Sequence, residues 1–576
     1  MRGASYDEAS RLRRRANSVP PRDFDQCIKI LGCILLLVLS FVVGKLIYLQ
    51  VVTASSLSAE AQQSRSNAIV LQAKRGTIYD RNGNVLAMSK ECATFYCNPQ
   101  EVDDPNGAGD VFEEVLGGES KNYVSRMRVQ GTFSYISRQV DSDDADEIEQ
   151  KLKEKGIKGI YRLKDSKRVY PYGAIGSQVL GIVGIDGDGL TGLEYYYNDI
   201  LKGKNGTMYL ETGQGGTPIA GGHSEVDEAR DGTDIVISLD IDIQRVAEET
   251  IVKGTEQYKA DSGSVMVTDP TTGEILAACS TPLFDVTDTS TIEEGATSLK
   301  LVSSSYEPGS IFKVLTAAIG LESGSVSPMD TFSVPGGVRV GDDIVRDDDG
   351  RTETMTMDLR EILRRSSNTG IALVTQNEIG ETNFANGVSA FQIGQATGID
   401  FPGEVQGMVK QLNQYDGASI GAMSFGQSLA IPLVQMVKAV GSIANDGTLV
   451  TPHFLVSKGG EEVTWDPVGT SVSKETADTV TDMMRTVVQS GTATAAQVKG
   501  YDIAGKTGTG EQADENGYIE YKYVSSLIGF APADNPKVLV YVGLNGTPYL
   551  ASSSSAPLFS TIMSEALSDM GVEPSS

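Results

Sequence analysis

The stretch EPGSIFKVLTAA (residues 307–318) places one lysine in a segment that is otherwise rich in Ile, Phe, Val, Leu and Ala. Apolar residues on every face predict a central, buried helix, in which a positive charge without a partner or a task would be costly. Ser310 and Lys313 share one helical face, so the amine can reach the hydroxyl. Burial lowers the pKa of a lysine, and a partly neutral amine can accept the proton of an attacking serine. The stretch therefore predicts Ser310 as a nucleophile and Lys313 as its proton acceptor.

The residues before the serine predict where it lies in the helix. Pro308 and Gly309 precede it directly, which places Ser310 in the first turn. Free backbone N–H groups in that turn favour developing negative charge. A Ser-x-x-Lys pattern alone arises by chance in many chains, so further motifs decide the interpretation.

Two further motifs follow in a fixed order. RRSSNTG (364–370) contains Ser366 and Asn368, and GKTGT (505–509) contains Lys506. Ser366 can relay protons to a leaving amine, and Asn368 can hold a substrate amide. Three motifs in a fixed order make a more specific signal than the Ser-x-x-Lys pattern alone.

The last motif offers groups for substrate binding. Lys506 and Thr507 supply a cation and a hydroxyl for a substrate carboxylate, while Gly508 lets a substrate strand approach closely. The N–H groups of Thr509 and Ser310 can form an oxyanion hole, which is typically worth a few kcal/mol of barrier.

The ordered set Ser-x-x-Lys, Ser-x-Asn and Lys-Thr-Gly resembles the motif set of penicillin-binding proteins and β-lactamases. Other stretches are similar to class B penicillin-binding proteins, the monofunctional transpeptidases. Three of them resemble the pedestal motifs of that family: KRGTIYDRNGNVLA (74–87), KRVYPYGAIGSQVLGIVG (167–184) and GLTGLEYYYNDILKGKNG (189–206). The fourth, SFGQSLAIPLVQMVKAVGSIANDG (424–447), resembles its late transpeptidase helix region.

The resemblance implies acyl transfer on peptidoglycan stem peptides. Ser310 would attack the D-Ala–D-Ala carbonyl, D-Ala would leave, and an amine of a neighbouring stem would resolve the acyl-enzyme into a cross-link. β-Lactams would acylate the same serine, and no cofactor is implied. Glycan polymerisation would come from a partner, a SEDS-type membrane glycosyltransferase, together with other divisome membrane proteins.

Several alternatives stay open within this resemblance. The SFGQ run and the ending SSSSAPLFSTIM (552–563) favour the division type, FtsI-like or SpoVD-like, and the elongation type is the alternative. Directly after the Lys-Thr-Gly-Thr run, at the edge of the cleft, this chain has Gly510-Glu511-Gln512 where the family commonly has Ala-Gln. A hydrolase of the same fold, a carboxypeptidase or β-lactamase, is disfavoured. A class A lactamase needs a Glu that activates water through a nearby Asn, and neither Glu378 nor Glu381 is followed at four residues by Asn. A penicillin-binding sensor or a non-catalytic divisome scaffold is a further alternative.

The fold class predicted is α+β, with helices flanking a central antiparallel sheet in the transpeptidase domain. Hairpins are predicted around Asp269-Pro270-Thr271-Thr272-Gly273 and Ala533-Asp534-Asn535-Pro536, and a helix capped by Asp240 or Asp242 follows a strand. A mixed α/β pedestal precedes this domain, and the Gly-rich segment 211–232 is expected to be a loop or hairpin. The predicted domains are a tail (1–28), an anchor (29–52), a pedestal of the class B dimerisation type (53–228) and the transpeptidase (229–571).

The N-terminal region predicts a single-pass anchor. Lys29 and Lys45 bracket an uncharged apolar run, and both can snorkel while residues 46–52 extend it. Basic residues before the run favour a cytoplasmic N-terminus and an extracytoplasmic catalytic domain in a bacterium; they are Arg2, Arg11, Arg13, Arg14, Arg15 and Arg22. A cleaved signal peptide with a site at Ala59-Glu60-Ala61 is the alternative.

Composition excludes other classes of function. The 576 residues carry 76 acidic against 48 basic side chains, a formal net charge of −28, which disfavours nucleic acid as a partner. His223 and His453 are the only histidines, and no CxxC spacing exists, so no metal site is predicted. The five cysteines suggest no disulfide framework; Cys92 and Cys97, five apart on an extended run, would point to opposite faces.

Overall fold

The computed structural model describes residues 24–52, 66–71, 73–211, 224–514 and 517–574. The chain separates into two compact units, one of residues 1–70 with 207–228 and the other of residues 71–206 with 229–576. Three groups of residues named above lie outside the described parts: the basic residues of the predicted tail, the alternative cleavage site at 59–61, and His223.

The first unit contains the apolar helix α1 (Phe24–Ile47), which continues as one π-helical stretch, Tyr48–Val52. An 18-residue window within residues 27–50 has a mean hydropathy of 2.7, so by length and composition this helix can cross a membrane. The unit also holds a three-stranded sheet in the order β1 (Ser66–Leu71), β6 (Gly206–Glu211) and β7 (Ser224–Asp227). Strands β6 and β7 are antiparallel, while residues 212–223 between them lie outside the described residues, so the loop or hairpin expected for 211–232 stays a prediction.

The second unit begins with a seven-stranded sheet, whose strands are β2 (Ile78–Tyr79), β3 (Val85–Cys97), β4 (Ser134–Asp141), β5 (Ile160–Val169), β8 (Ile235–Ile237), β18 (Leu455–Lys458) and β19 (Glu461–Glu462). Their order is β19-β18-β8-β2-β3-β4, with β5 also paired to β3. Strand β8 pairs in parallel with β2 and antiparallel with β18. The sheet therefore runs across the predicted boundary at 228/229, and that boundary stays a prediction.

Six helices lie next to this sheet; the first three cover a small core of their own, and the last three contribute to the larger core of the unit. They are α2 (Pro105–Leu116), α3 (Ser120–Met127), α4 (Ser142–Glu154), α5 (Ser177–Leu180), α6 (Gly192–Tyr196) and α7 (Asn198–Leu201). Helix α4 is the one predicted from its apolar stripe, and it buries Ile148 and Leu152 against Phe95 and Phe112. Cys92 and Cys97 are both buried on β3, and both are free thiols.

The three pedestal motifs meet in one buried ion cluster. Glu194 from the third motif is fully buried and accepts hydrogen bonds from Arg75 of the first motif and from Arg168 of the second, the latter at 2.6 Å. Arg75 also donates to the Glu194 carbonyl oxygen at 2.6 Å. Because a buried charge is tolerated only when paired, the three motifs are mutually dependent.

A five-stranded antiparallel sheet organises the rest of the second unit, and its strands are β9 (Ser262–Thr268), β10 (Ile275–Ser280), β21 (Ala504–Asp514), β22 (Gly517–Ala531) and β23 (Val538–Thr547). Their order is β10-β9-β23-β22-β21. Both predicted hairpins, β9–β10 and β22–β23, are confirmed. Strand β21, which carries the Lys-Thr-Gly motif, lies at the edge of this sheet.

Helices flank this sheet, as the predicted fold class requires. The α-helices of this part of the chain, some on the sheet and others packed on those helices, are α8 (Ile241–Gln257), α9 (Lys300–Ser303), α10 (Lys313–Glu322), α11 (Leu359–Arg365), α12 (Asn368–Val374), α13 (Gly380–Ala390), α14 (Ser419–Met423), α15 (Leu433–Ala444), α16 (Lys474–Ser490) and α17 (Ser555–Asp569). Asp240 caps α8, since its carboxylate accepts from the N–H groups of Asp242 and Ile243. Residues 313–320 of α10 are all buried, which confirms the central helix.

Short strands complete the unit, in pairs that lie outside the two large sheets. They are β11 (Ser305–Tyr306) with β16 (Ile431–Pro432), β12 (Thr331–Val334) with β15 (Met355–Asp358), β13 (Val338–Val340) with β14 (Asp343–Val345), and β17 (Thr448–Leu449) with β20 (Gly469–Thr470).

Candidate active site

Ser310 lies in a tight turn that leads into α10. Residues Gly309–Phe312 form one 3₁₀ turn, and the α-helix begins at Lys313, which confirms the predicted first-turn position. Gly309 has a φ of +59° and donates its N–H to the carbonyl oxygen of Gly426 at 3.0 Å. A Cβ at Gly426 would lie 2.2 Å from the Gly309 oxygen, so only glycine permits this approach. The SFGQ segment therefore fixes the backbone of the serine turn.

The Lys313 side chain is fully buried and hydrogen-bonded to the Ser-x-Asn motif. Its Nζ donates to the Ser366 carbonyl oxygen at 2.5 Å, to Asn368 Oδ1 at 2.6 Å and to Ser366 Oγ at 3.3 Å. Burial lowers its pKa to about 8, against smaller opposing effects of Asp348 and Asp347. Among the described residues no hydrogen bond joins Lys313 Nζ to Ser310 Oγ, the contact expected from their shared helical face. The three acceptors of Nζ instead match the three donors of an ammonium.

Ser366 is the bridge between the two motif lysines. It ends α11 in the left-handed conformation with a φ of +59°, an uncommon conformation for a residue other than glycine. Its Oγ accepts from Lys506 Nζ at 2.8 Å as well as from Lys313. Asn368 begins α12 two residues later, so one turn presents both side chains to Lys313.

Lys506 lies on β21 and is also fully buried. Its Nζ donates to Ser366 Oγ and to the Thr507 carbonyl oxygen, each at 2.8 Å. Burial lowers the pKa of Lys506 well below its usual value, the positive charge of Lys313 lowers it further, and Asp348 opposes both effects. Two lysines joined through one hydroxyl favour states in which at least one of them is neutral.

The remaining motif residues lie on the same strand. The Thr507 hydroxyl is hydrogen-bonded to the Thr492 hydroxyl at 2.6 Å, and Thr509 Oγ1 accepts from the Ala551 N–H at 3.4 Å. A Cβ built on Gly309 would lie 3.8 Å from the Thr509 carbonyl oxygen, so the serine turn and β21 are neighbours. The oxyanion hole of Ser310 and Thr509 stays a prediction.

Glycine is required at position 508 for a packing reason that the sequence interpretation did not include. A Cβ at this position would lie 2.5 Å from Ser526 Oγ and 3.0 Å from Ile311 Cγ2. Glycine is thus required so that β21 can pack against the serine turn, whatever it does for a substrate strand.

The sequence interpretation missed the acidic loop 347–349, which lies beside the Ser-x-Asn motif. Asp347 accepts from the Arg351 guanidinium at 2.9 Å and from the hydroxyl groups of Ser367 (2.8 Å) and Thr369 (2.9 Å). Burial acts to raise the pKa of Asp347, but a hydrogen bond from the Thr369 backbone N–H, together with those from the three side chains, holds it below its ordinary value. The only signal in the sequence is the run of three aspartates shortly before the motif.

The eight candidate residues thus lie on three adjoining elements. They are Ser310, Lys313, Ser366, Asn368, Lys506, Thr507, Gly508 and Thr509. Among the residues that the structure describes, no group of three His, Cys, Asp or Glu side chains could hold a metal ion. His453 is buried, stacks on Trp465 with ring centroids 4.4 Å apart, and bonds through Nδ1 to the Thr451 carbonyl at 2.8 Å.

Comparison with known proteins gives consistent matches along the chain. The family model for the penicillin-binding protein transpeptidase domain matches residues 263–564, and that for the penicillin-binding protein dimerisation domain matches residues 70–237. The Bacillus subtilis stage V sporulation protein D is 31% identical, over 97% of this chain and 88% of the relative. The Escherichia coli peptidoglycan D,D-transpeptidase FtsI is 27% identical, over 94% of this chain and 91% of the relative. The solved structure of penicillin-binding protein 2X from Streptococcus thermophilus has a TM-score of 0.74 at 26% identity, covering 87% of this chain and 80% of that one.

Proposed function

The chain belongs to the class B penicillin-binding proteins, the family of peptidoglycan D,D-transpeptidases, and we propose that Ser310 is the nucleophile of its acyl transfer. The observation that carries the proposal is the hydrogen-bonded series Lys506–Ser366–Lys313–Asn368 beside the serine turn. It provides a proton acceptor, a relay and an amide in contact with one another.

In the acylation step, neutral Lys313 accepts the Ser310 proton while Oγ attacks the carbonyl carbon of the penultimate D-Ala. The C–N bond to the terminal D-Ala then breaks, and the leaving amine takes a proton through Ser366, which is hydrogen-bonded to both lysines. The pKa of about 8 supports this role, since an ordinary lysine would be almost entirely protonated at neutral pH. Neutral Lys313 needs one acceptor fewer, and its lone pair can then face Ser310.

Lys506 and Thr507 bind the terminal carboxylate of the donor peptide in this proposal. Lys506 has two acceptors among the described residues, which leaves one donor of its ammonium form for substrate. Because its pKa is lowered in the free protein, binding of a carboxylate is accompanied by proton uptake. The N–H groups of Ser310 and Thr509 stabilise the oxyanion, and Asn368 holds a substrate amide.

We further propose that α1 anchors the protein with its N-terminus in the cytoplasm and its catalytic domain outside the membrane. The excess of basic residues before the helix supports this orientation. The glycan strands then come from a SEDS-type glycosyltransferase, contacted through the anchor and the pedestal alongside other divisome proteins. The similarity to the sporulation protein and to FtsI supports a role of the division type.

The test supplies the full-length protein in detergent with uncross-linked peptidoglycan chains and analyses the digested products by mass spectrometry. Cross-linked stem dimers that disappear in Ser310→Ala are the expected result. Shortened stems without any dimer would contradict transpeptidation and indicate a carboxypeptidase. Unchanged stems from a folded protein would favour a sensor or scaffold.

A further inference from the structure

Three consecutive aspartates next to the site have three different environments. Asp347 is buried in an ion pair with Arg351, and Asp349 lies 3.6 Å from the Arg365 guanidinium. Asp348, between them, is exposed, and among the described residues it has no basic side chain within ion-pair distance. One carboxylate of the run is therefore free to bind a cation.

This free carboxylate lies one side chain away from the catalytic lysine. Asp348 Oδ1 is 3.5 Å from Asn368 Nδ2, while Oδ1 of the same amide accepts from Lys313 Nζ at 2.6 Å. The Arg346 carbonyl oxygen lies 3.4 Å from the same Nδ2 and adds a second acceptor at this point. The charge of Asp348 reaches both lysines, since it raises the pKa of each against the effect of burial.

The site therefore has two ends of different polarity. The Lys506–Thr507 end offers a cation and a hydroxyl, which suit the carboxylate of the donor stem. The Asp348 end offers a carboxylate and a carbonyl oxygen, both acceptors. A second substrate that enters after D-Ala has left must be an amine, and a primary amine near its reference pKa of about 10.4 is an ammonium at neutral pH.

We propose that Asp348 is a specificity-determining residue that binds the ammonium group of the acceptor stem and so favours aminolysis of the acyl-enzyme over hydrolysis. The proposal rests on the proposed function and names the class of acceptor, a cationic primary amine. Water and neutral nucleophiles gain nothing from the carboxylate, so its effect is selective.

The chemical step balances with the groups present. The ammonium bound at Asp348 gives one proton to neutral Lys313, and the free amine attacks the ester carbonyl carbon of acylated Ser310. The new C–N bond forms as the C–Oγ bond breaks, and Lys313 returns its proton to Ser310 Oγ. The second proton of the amine nitrogen passes to solvent, so one amide, one free serine and one released proton result.

The experiment measures how the acyl-enzyme partitions among nucleophiles. The full-length protein in detergent is given an N-acyl-D-Ala thioester as donor, with either glycinamide, which is largely cationic at pH 7, or methanol, which is neutral. Asp348→Asn should lower the ratio of amide to acid product about two- to fivefold, the range of one exposed ion pair. Its ratio of methyl ester to acid should stay unchanged, and Asp348→Glu should keep the parent's preference.

Asp349→Asn is the matched control, because it removes an exposed carboxylate from the same loop that pairs with Arg365 instead of facing Asn368. An amide-to-acid ratio that is unchanged in Asp348→Asn, or that falls together with the ester-to-acid ratio, would overturn the inference. A parent that neither consumes the thioester nor forms a penicillin adduct would overturn the proposed function itself.

Discussion

The pH dependence of acylation is the most specific consequence of the buried lysine. With a pKa of about 8, Lys313 is neutral in about 1% of molecules at pH 6, about 9% at pH 7 and half at pH 8. With the unperturbed value of 10.5, the neutral fraction at pH 8 would be only about 0.3%. Because acylation needs the neutral amine, its rate should follow these fractions.

The assay is stopped-flow acylation of the full-length protein by a fluorescent penicillin between pH 6 and pH 10. The first-order acylation rate constant at saturating penicillin, where the bound carboxylate keeps Lys506 protonated, should rise about 50-fold from pH 6 to pH 8 and level off above about pH 9. The charge of Asp348 raises the pKa of Lys313, so Asp348→Asn should move the rising limb to lower pH. A rate that is flat from pH 6 to pH 9, or a limb centred near 10.5, would refute Lys313 as the proton acceptor.

Three further changes test other parts of the site. Ser366→Ala removes the hydroxyl that joins the two lysines, so the acylation rate should fall about 10²- to 10⁴-fold while the circular dichroism spectrum stays unchanged. A smaller fall would contradict the role of Ser366 as proton relay. Asp347→Asn leaves the Arg351 guanidinium buried without its counter-ion and should lower the free energy of unfolding, measured in urea, by about 3–5 kcal/mol. Asp349→Asn should lower it by less than about 1 kcal/mol, and equal losses would contradict the role of the buried ion pair. Gly426→Ala should displace the serine turn and slow acylation, while Gly417→Ala, whose Cβ would meet no atom within 4 Å, should not. Parent-like acylation by Gly426→Ala would contradict the close approach of Gly426 to the Gly309 oxygen.

Local features of the fold could be predicted from the sequence because short-range patterns determine them. The two hairpins follow from their turn residues, α4 from its apolar stripe, and the start of α8 from the capping carboxylate of Asp240. The burial of Lys313 and the lowered pKa could also be predicted, because the segment around that lysine is rich in Ile, Phe, Val, Leu and Ala.

The parts that the sequence could not predict depend on contacts between distant segments. The acceptors of Lys313 belong to residues 366 and 368, and the reason for glycine at 508 is Ile311 and Ser526. The parallel pairing of Ile78 with Ile235, which carries one sheet across the predicted domain boundary, has no local signature. The placement of Asp348 beside Asn368 likewise follows from how the loop folds back, and not from the spacing of the motifs.

The role of Ser310 as nucleophile is tested most directly by the intact mass of the full-length protein after incubation with a penicillin, beside the Ser310→Ala variant. We expect one covalent adduct on the parent and none on the variant, with the label on a peptide that contains residue 310. An adduct on the variant, or none on a folded parent, would contradict Ser310 as the nucleophile.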